Sequence, residues 1–434
     1  MDRVRRGWSV AVALAVVTPT ALAGCGAEKT PRFVDGQVAS ASPTPPPEPF
    51  EFAIAPEPDA EDLPISTEIG TTVSGGEITS VTLAEEGGGE VNGSLREDGT
   101  SWVPDKPLKN NKKYTATVVA TSSTGDEETK TTSFTTMGKS GSQTGTGLYL
   151  FDGRTYGVAM PVVVEFFPGI PQDQRASVQK RMFVTTDPPQ PGTWYWVSNG
   201  TQAYYRAPDF WRAGTTLSTR IALSGHPTGD GRYGDMDRSA TAKIGDKVTM
   251  EVDNATKQLS MFKNDKLVKQ MPVSLGKPST PSSSGTMIVM DKQEQTVFDT
   301  FAELGPVEGY RTDISFAQRI TWGGEFIHAA PWSVGDQGVR NVSHGCVNLS
   351  MANAEWLFSQ TKVGDPITVK GTERKLADGN GWTAWNLTWD EFVKGSALPV
   401  PADLRPSGSS PPASPTPGAP APGSAAPSPS ATAG

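Results

Sequence analysis

The sequence predicts a mainly β protein: three strand-rich blocks set between two low-complexity ends. Three observations predict it. Period-two alternation of apolar and polar residues recurs through the middle of the chain, as in Tyr114-Thr115-Ala116-Thr117-Val118-Val119-Ala120-Thr121. Turn signals such as Ser74-Gly75-Gly76, Glu97-Asp98-Gly99 and Thr124-Gly125-Asp126 separate these runs. Behind the amino-terminal apolar run, helical spacing is read only in two short stretches, 352–361 and 382–392.

The amino terminus reads as a targeting signal. Arg3, Arg5 and Arg6 precede a short apolar run, Trp8 to Val17, and Leu22-Ala23-Gly24-Cys25 resembles a bacterial lipobox. The expectation is a signal peptide at 1–24, a lipid on the Cys25 sulfur and anchoring to the extracytoplasmic face of the cell membrane. A plain secretory signal is the rival. A membrane-spanning helix is excluded by the shortness of the run and by Pro19 behind it. Residues 25–48 end in Ser-Pro-Thr-Pro-Pro-Pro-Glu-Pro, where Pro49 completes the run, and read as an extended tether.

Residues 49–138 are rich in Thr, Val and Gly and alternate with period two, the pattern of a small, Ig-like β-sandwich. Gly138–Thr146 reads as a linker or edge. Within 139–245, Pro161–Phe167 and Thr193–Val197 are strand candidates, and Tyr204, Tyr205, Phe210 and Trp211 are read as sandwich core rather than a sugar platform. His226 reads as a surface loop residue. In 246–371, Lys247–Asp253 and Gln258–Phe262 read as paired strands, Thr286–Met290 and Pro366–Val369 as further strands, and Ala352–Thr361 as a short amphipathic helix. Val297–Arg311, with Gly305, Pro306 and Gly309, is too irregular for a core element and reads as a candidate lid. Residues 372–400 carry Trp382, Trp385, Trp389 and Phe392 at helical spacing, read as a stripe that docks on the third block or the second sandwich rather than as a ligand-binding row. Residues 401–434 are Pro, Ala, Ser, Thr and Gly with only Asp403 and Arg405 charged, and read as a disordered tail.

The chain has a net charge of −9. Removing 1–24 takes away Asp2, Arg3, Arg5 and Arg6, leaving 35 Lys+Arg against 46 Asp+Glu, a net charge of −11. No basic block stands out, so nucleic acid is not an expected partner.

The chemistry concentrates in Ile327–Ser350. Of three histidines and two cysteines in the chain, His328, His344 and Cys346 fall in these 24 residues. With Cys25 lipidated, Cys346 is the one free thiol of an exported chain and has no internal disulfide partner. One Cys with two histidines is a poor structural zinc set. A thiol near an imidazole suits nucleophilic acyl transfer: the base takes the proton and the thiolate attacks a carbonyl.

Ser343-His344-Gly345-Cys346-Val347-Asn348, with fourteen residues between His328 and Ser343, resembles the signature of the L,D-transpeptidases, the YkuD-domain family that cross-links bacterial peptidoglycan. Tyr310-Arg311-Thr312 and His328-Ala329-Ala330-Pro331-Trp332-Ser333 resemble actinobacterial members. The resemblance implies a lipoprotein with two Ig-like β-sandwich domains, a β-rich YkuD catalytic domain and a Trp-bearing extension. It implies Cys346 as nucleophile, His328 as general base and His344 as its support. Tyr310 is implied as a lid tyrosine, Gly323 and Gly324 as lining the cleft, and Ser343, Gly345 and Asn348 as binding substrate beside the nucleophile. Many relatives carry Ser where Ala329 stands, which matters only if a hydroxyl rather than a carbonyl orients His328.

The function so implied is attack on the diaminopimelate–D-Ala bond of a tetrapeptide stem and transfer of the acyl group to the side-chain amine of a second diaminopimelate. The alternative is an L,D-carboxypeptidase, with water as acceptor. Carbapenems are the expected inhibitors. No cofactor is expected, and no metal: some relatives bind calcium in the loop matching 225–234, but here Pro227 replaces an acidic ligand and only Asp230 remains.

Overall fold

A computed structural model describes residues 49–405, apart from Glu97, Thr300 and Tyr310. The expected signal peptide, Cys25, Tyr310 and the residues beyond 405 lie outside the described residues.

The first block pairs two sheets. Strands Glu51–Ala55, Ile69–Ser74, Ser101–Pro104 and Gly93–Leu95 form one, and Ala60–Leu63, Glu127–Thr136, Lys113–Ser122, Gly76–Glu85 and Glu90–Val91 the other. The alternation in Lys113–Ser122 does what its period dictates. Tyr114, Ala116, Val118 and Ala120 are buried against Phe52, Ile69, Leu83, Trp102 and Phe134, while their neighbours face outward.

The second block has a six-stranded sheet that includes Gln202–Arg206, Val162–Phe167 and Gln143–Leu148. Its second sheet comprises Thr155–Tyr156, Asp237–Ile244, Thr216–Ala222 and Met182–Asp187. Gln143–Leu148 corrects the reading of 138–146 as a linker or edge: it is a strand with neighbours on both sides, Thr144 and Thr146 are buried on its inner face, and polar Thr and Gly had concealed it. Tyr204, Tyr205 and Trp211 are buried in the core of this block.

His226 is likewise not a surface residue. It is half-buried between the first two blocks, with Nδ1 3.1 Å from Ser66 Oγ and Nε2 3.0 Å from Ser177 Oγ. Beside it Glu68 accepts from Arg96, Ser101 and Arg181. Those three donors hold its carboxyl down at about 2 against the opposing effect of burial. Burial and the Arg181 charge push the His226 imidazole down to about 4. The Gly- and Pro-rich sequence around His226 marks a turn and carries no sign that a neighbouring block covers it.

The third block holds a six-stranded sheet, in the order Lys266–Pro272, Gln258–Lys263, Val248–Asp253, Pro366–Lys370, Ser283–Ile288 and Arg374–Lys375. Its four-stranded partner runs Asp291–Asp299, Arg311–Arg319, Phe326–Ala329 and Val347–Leu349. Helix Met351–Gln360 is capped by Ser350, whose Oγ accepts from Asn353 N. The stretch 297–311 is more ordered than its Gly and Pro residues suggest. Val297–Asp299 completes a strand, and Phe301–Glu308 is helical with a break at Gly305, at φ 73°.

The aromatic stripe packs on the second block, where Trp382, Ala384 and Phe392 join its core. It is two short turns, Thr383–Asn386 and Trp389–Phe392, rather than one helix, because Leu387 and Thr388 are extended and Thr388 starts a new capping box with Glu391. Arg206, itself buried, donates Nε to Ala384 O at 3.0 Å and Nη2 to Leu387 O at 2.9 Å. Its guanidinium lies 4.3 Å from the ring centres of both Trp385 and Phe392. Backbone bonds join the same block to the third: Gly157 N to Val363 O at 2.8 Å and Ala159 N to Gly364 O at 3.0 Å.

Candidate active site

Two parallel strands build the site. Phe326–Ala329 and Val347–Leu349 pair with Ile327 opposite Val347, His328 opposite Asn348 and Ala329 opposite Leu349. Side chains alternate across a sheet, so residues two apart share a face. Ile327, Ala329, Val347 and Leu349 go into the core of the block. The other face therefore receives Phe326, His328, Asn348 and, one residue before its strand, Cys346. Cys346 packs among Phe298, Ile314, Ala317 and Phe326 and is 8% exposed.

The turn leading to Cys346 is pinned from several sides. Ser343 N donates to Leu275 O at 3.0 Å, and Lys277 N donates to Ser343 O at 2.9 Å. Ser343 Oγ donates to Cys346 O at 2.7 Å and accepts from Gly345 N at 3.1 Å, while Ser282 Oγ donates to Gly345 O at 2.6 Å. Gly345 adopts φ 130°, a conformation that disfavours any side chain and brings the chain round to present the thiol. Ser343 and Gly345 are thus the frame of the loop that carries Cys346.

His328 is 4% exposed, its ring edge-on to Phe298. Nδ1 lies 2.8 Å from Ala329 O. A carbonyl can only accept, so Nδ1 carries the proton and Nε2 has the lone pair. The carbonyl, which Ala supplies as well as Ser, orients the imidazole. Burial pushes this imidazole down to about 4, the Ala329 carbonyl only partly opposing it. Burial likewise pushes the Cys346 thiol up to about 12, with the Glu325 charge acting the same way and Phe326 and Arg319 opposing it. At neutral pH the pair is thiol and neutral imidazole. Cys346 Sγ contacts Gly324 O at 3.8 Å.

His344 lies with Cys346 on one cleft, and its Nε2 takes the Lys277 Nζ at 3.1 Å. An ammonium has only protons to give, so Nε2 is the accepting nitrogen in that contact. Gly323 N donates to Asn380 Oδ1 at 2.8 Å, and Gly324, at φ 85°, sets its carbonyl against the thiol. Asn348 Nδ2 donates to Ser333 Oγ at 3.2 Å, while its buried Oδ1 has no hydrogen-bond partner among the described residues. The cleft has a volume of about 430 Å³ and is lined by Thr312, His328, Trp332, Ser333, Asp336, Val342, Ser343, His344, Cys346 and Asn348.

Sequence reasoning missed Glu325 and Lys277. Glu325 is buried behind the thiol, accepting from Ser283 N at 3.0 Å and Ser283 Oγ at 2.7 Å and pairing with Arg374. A lone Glu between Gly324 and Phe326 was its only signal. Lys277 lies 67 residues before His344 and had none.

Residues 60–227 match the Bacterial Ig domain family and residues 247–369 the L,D-transpeptidase catalytic domain, YkuD. The chain is 32% identical over 401 residues to L,D-transpeptidase 2 of Mycobacterium tuberculosis (strain CDC 1551 / Oshkosh), covering 91% of this chain and 96% of that one. It is 33% identical to L,D-transpeptidase 5 of Mycobacterium tuberculosis (strain ATCC 25618 / H37Rv), covering 78% and 74%. Among solved structures, an LD transpeptidase in complex with imipenem matches 52% of this chain and 97% of its own, at 31% identity and a TM-score of 0.43. By sequence the likeness runs through both kinds of block, and the chain belongs to the L,D-transpeptidase family.

Proposed function

We propose that this cysteine acyltransferase cross-links peptidoglycan stems through Cys346, with His328 as its base and His344 in support. The observation that carries the reading is the shared face of Cys346 and His328, with the His328 proton committed to Ala329 O. The first step moves the thiol proton to His328 Nε2 as sulfur attacks the carbonyl of the diaminopimelate–D-Ala bond. Because both groups rest neutral, the thiolate forms only as the S–C bond does. The imidazolium returns the proton to the departing D-Ala amine as the C–N bond breaks. The side-chain amine of a second diaminopimelate then attacks the thioester, a C–N bond forms, and the C–S bond breaks. His328 carries the amine proton back to sulfur.

The backbone N–H of Cys346 stabilises the developing oxyanion, the Gly345 N–H being already bound to Ser343 Oγ. Gly324, Ser343 and Asn348 line or frame the substrate site, and Gly323 and Tyr310 keep the substrate-binding roles that the resemblance implies. A lipid on Cys25 anchors the enzyme at the extracytoplasmic face of the cell membrane. Detergent partitioning of Cys25→Ala tests the anchor, and unchanged membrane association sinks it.

The acyl-transfer reading is tested by mixing wild type and Cys346→Ala with a carbapenem, then with a tetrapeptide stem. Mass spectrometry should show an adduct and cross-linked dimers for wild type only. An adduct on Cys346→Ala would overturn the assignment of the nucleophile. A tripeptide product without dimers would make the enzyme a carboxypeptidase.

A further inference from the structure

The reaction needs two partners, and the acyl acceptor is a primary amine. An unperturbed alkyl amine has a pKa of about 10.4, so it arrives as an ammonium ion. Among the described residues lining the cleft, Asp336 is the one carboxylate.

Its setting suits a cation. Trp332 and Asp336 are four residues apart in a run of successive turns, with Asp336 N donating to Ser333 O at 2.9 Å. Trp332 is 61% exposed and its ring centre lies 6.1 Å from that of His328. Carboxylate, aromatic ring and base thus line one cleft. An indole face and an anion are the two side-chain groups that attract an ammonium most strongly.

Arg340 Nε pairs with Asp336 Oδ1, but its side chain is 73% exposed against 21% for Asp336, and Oδ2 has no partner among the described residues. An exposed guanidinium held by one contact is a weak, screened competitor.

We propose that Asp336, with the face of Trp332, recognises the cationic amine of the acyl acceptor at the mouth of the cleft. The inference rests on the transpeptidase reading above. The ammonium binds at the carboxylate, loses one proton to water as it moves into the dry site, and attacks the thioester as a neutral amine. Asp336 touches the incoming amine and takes no part in forming the thioester.

The test measures transfer from a tetrapeptide donor to an amine acceptor, with acceptor concentration varied, on the whole protein. Asp336→Asn should raise the acceptor KM by about three- to fivefold, the size expected of a partly exposed ion pair. It should also shift the product ratio from dimer toward hydrolysed tripeptide. Asp336→Glu should restore both. Arg340→Gln, which frees the carboxylate, should lower the acceptor KM, and added salt should shrink the gap between Asp336→Asn and wild type. An unchanged or lower acceptor KM in Asp336→Asn, with a wild-type melting temperature, overturns the proposal. Failure of wild type to form a carbapenem adduct overturns the transpeptidase reading instead.

Discussion

His328 donates its Nδ1 proton to the carbonyl oxygen of Ala329, 2.8 Å away, so its other ring nitrogen holds the lone pair that the proposed base needs. Replacing His328 with Ala removes that base from beside a thiol whose pKa stands near 12. Acylation by a carbapenem should slow by about 10²- to 10⁴-fold at neutral pH. The residual rate should keep climbing with pH through 10, because the thiolate fraction grows until the thiol has titrated. Wild type should instead gain activity as pH rises through about 4, where His328 loses its proton, and then level off. Adduct mass followed against time and pH checks both curves. A variant whose rate levels off near pH 8 would contradict the buried, neutral thiol.

The joint between the first two blocks should be acid-sensitive. His226 has a folded value of about 4 against an ordinary 6.5, so its contribution is complete above 6.5 and is lost as pH falls through 4. Glu68, at about 2 against 4.5, contributes above 4.5 and loses that as pH falls through 2. Melting temperature should therefore drop in two limbs on acidification. His226→Gln should flatten the upper limb alone and Glu68→Gln the lower. A His226→Gln curve that overlays wild type would remove the histidine from the account.

Phe392 is wholly buried between the extension and the second block. Phe392→Ala should cost about 3–5 kcal/mol of stability. Arg206→Met should cost about 1–3 kcal/mol, since it strands the Ala384 and Leu387 carbonyls. Chemical denaturation followed by tryptophan fluorescence reads both, and a loss under 1 kcal/mol for Phe392→Ala would mean the extension is loosely attached.

Gly345 has room for a methyl group, with the nearest atom, Glu325 Cγ, 3.5 Å from where a Cβ would sit, but not the backbone for one. Gly345→Ala should store about 1–3 kcal/mol of strain. Relieving it shifts the thiol, and acylation should fall by about tenfold or more. Near-normal acylation in this variant would show that the turn tolerates an ordinary residue.

The site was legible because its strands are neighbours. His328, Ser343, Gly345, Cys346 and Asn348 lie within 21 residues of one another; a parallel pairing of two short strands brings His328, Cys346 and Asn348 to one face, and Ser343 and Gly345 form the turn before it. Alternation likewise disclosed the buried face of Lys113–Ser122. Where reading failed, partners came from far away. His226 meets Ser66 across 160 positions, and Lys277 meets His344 across 67. Gln143–Leu148 failed for another reason: its buried residues are threonines, which a hydrophobic pattern does not register. The aromatic stripe announced a docked, buried face but left its partner open between two blocks, and it gave the wrong backbone, since spacing alone does not show the second capping box at Thr388.

The extension around Arg206 also settles how the third block is held. That block leaves the second sandwich after Ile244, is stitched to it again at Gly157–Val363 and Ala159–Gly364, and returns to it through Trp382–Phe392. A body fastened at one point swivels, whereas one fastened at several separated points does not. The mouth of the cleft therefore keeps a fixed bearing on the sandwich beneath it. Among the described residues, any reorientation of the cleft relative to the first block has to come at the joint around Glu68 and His226.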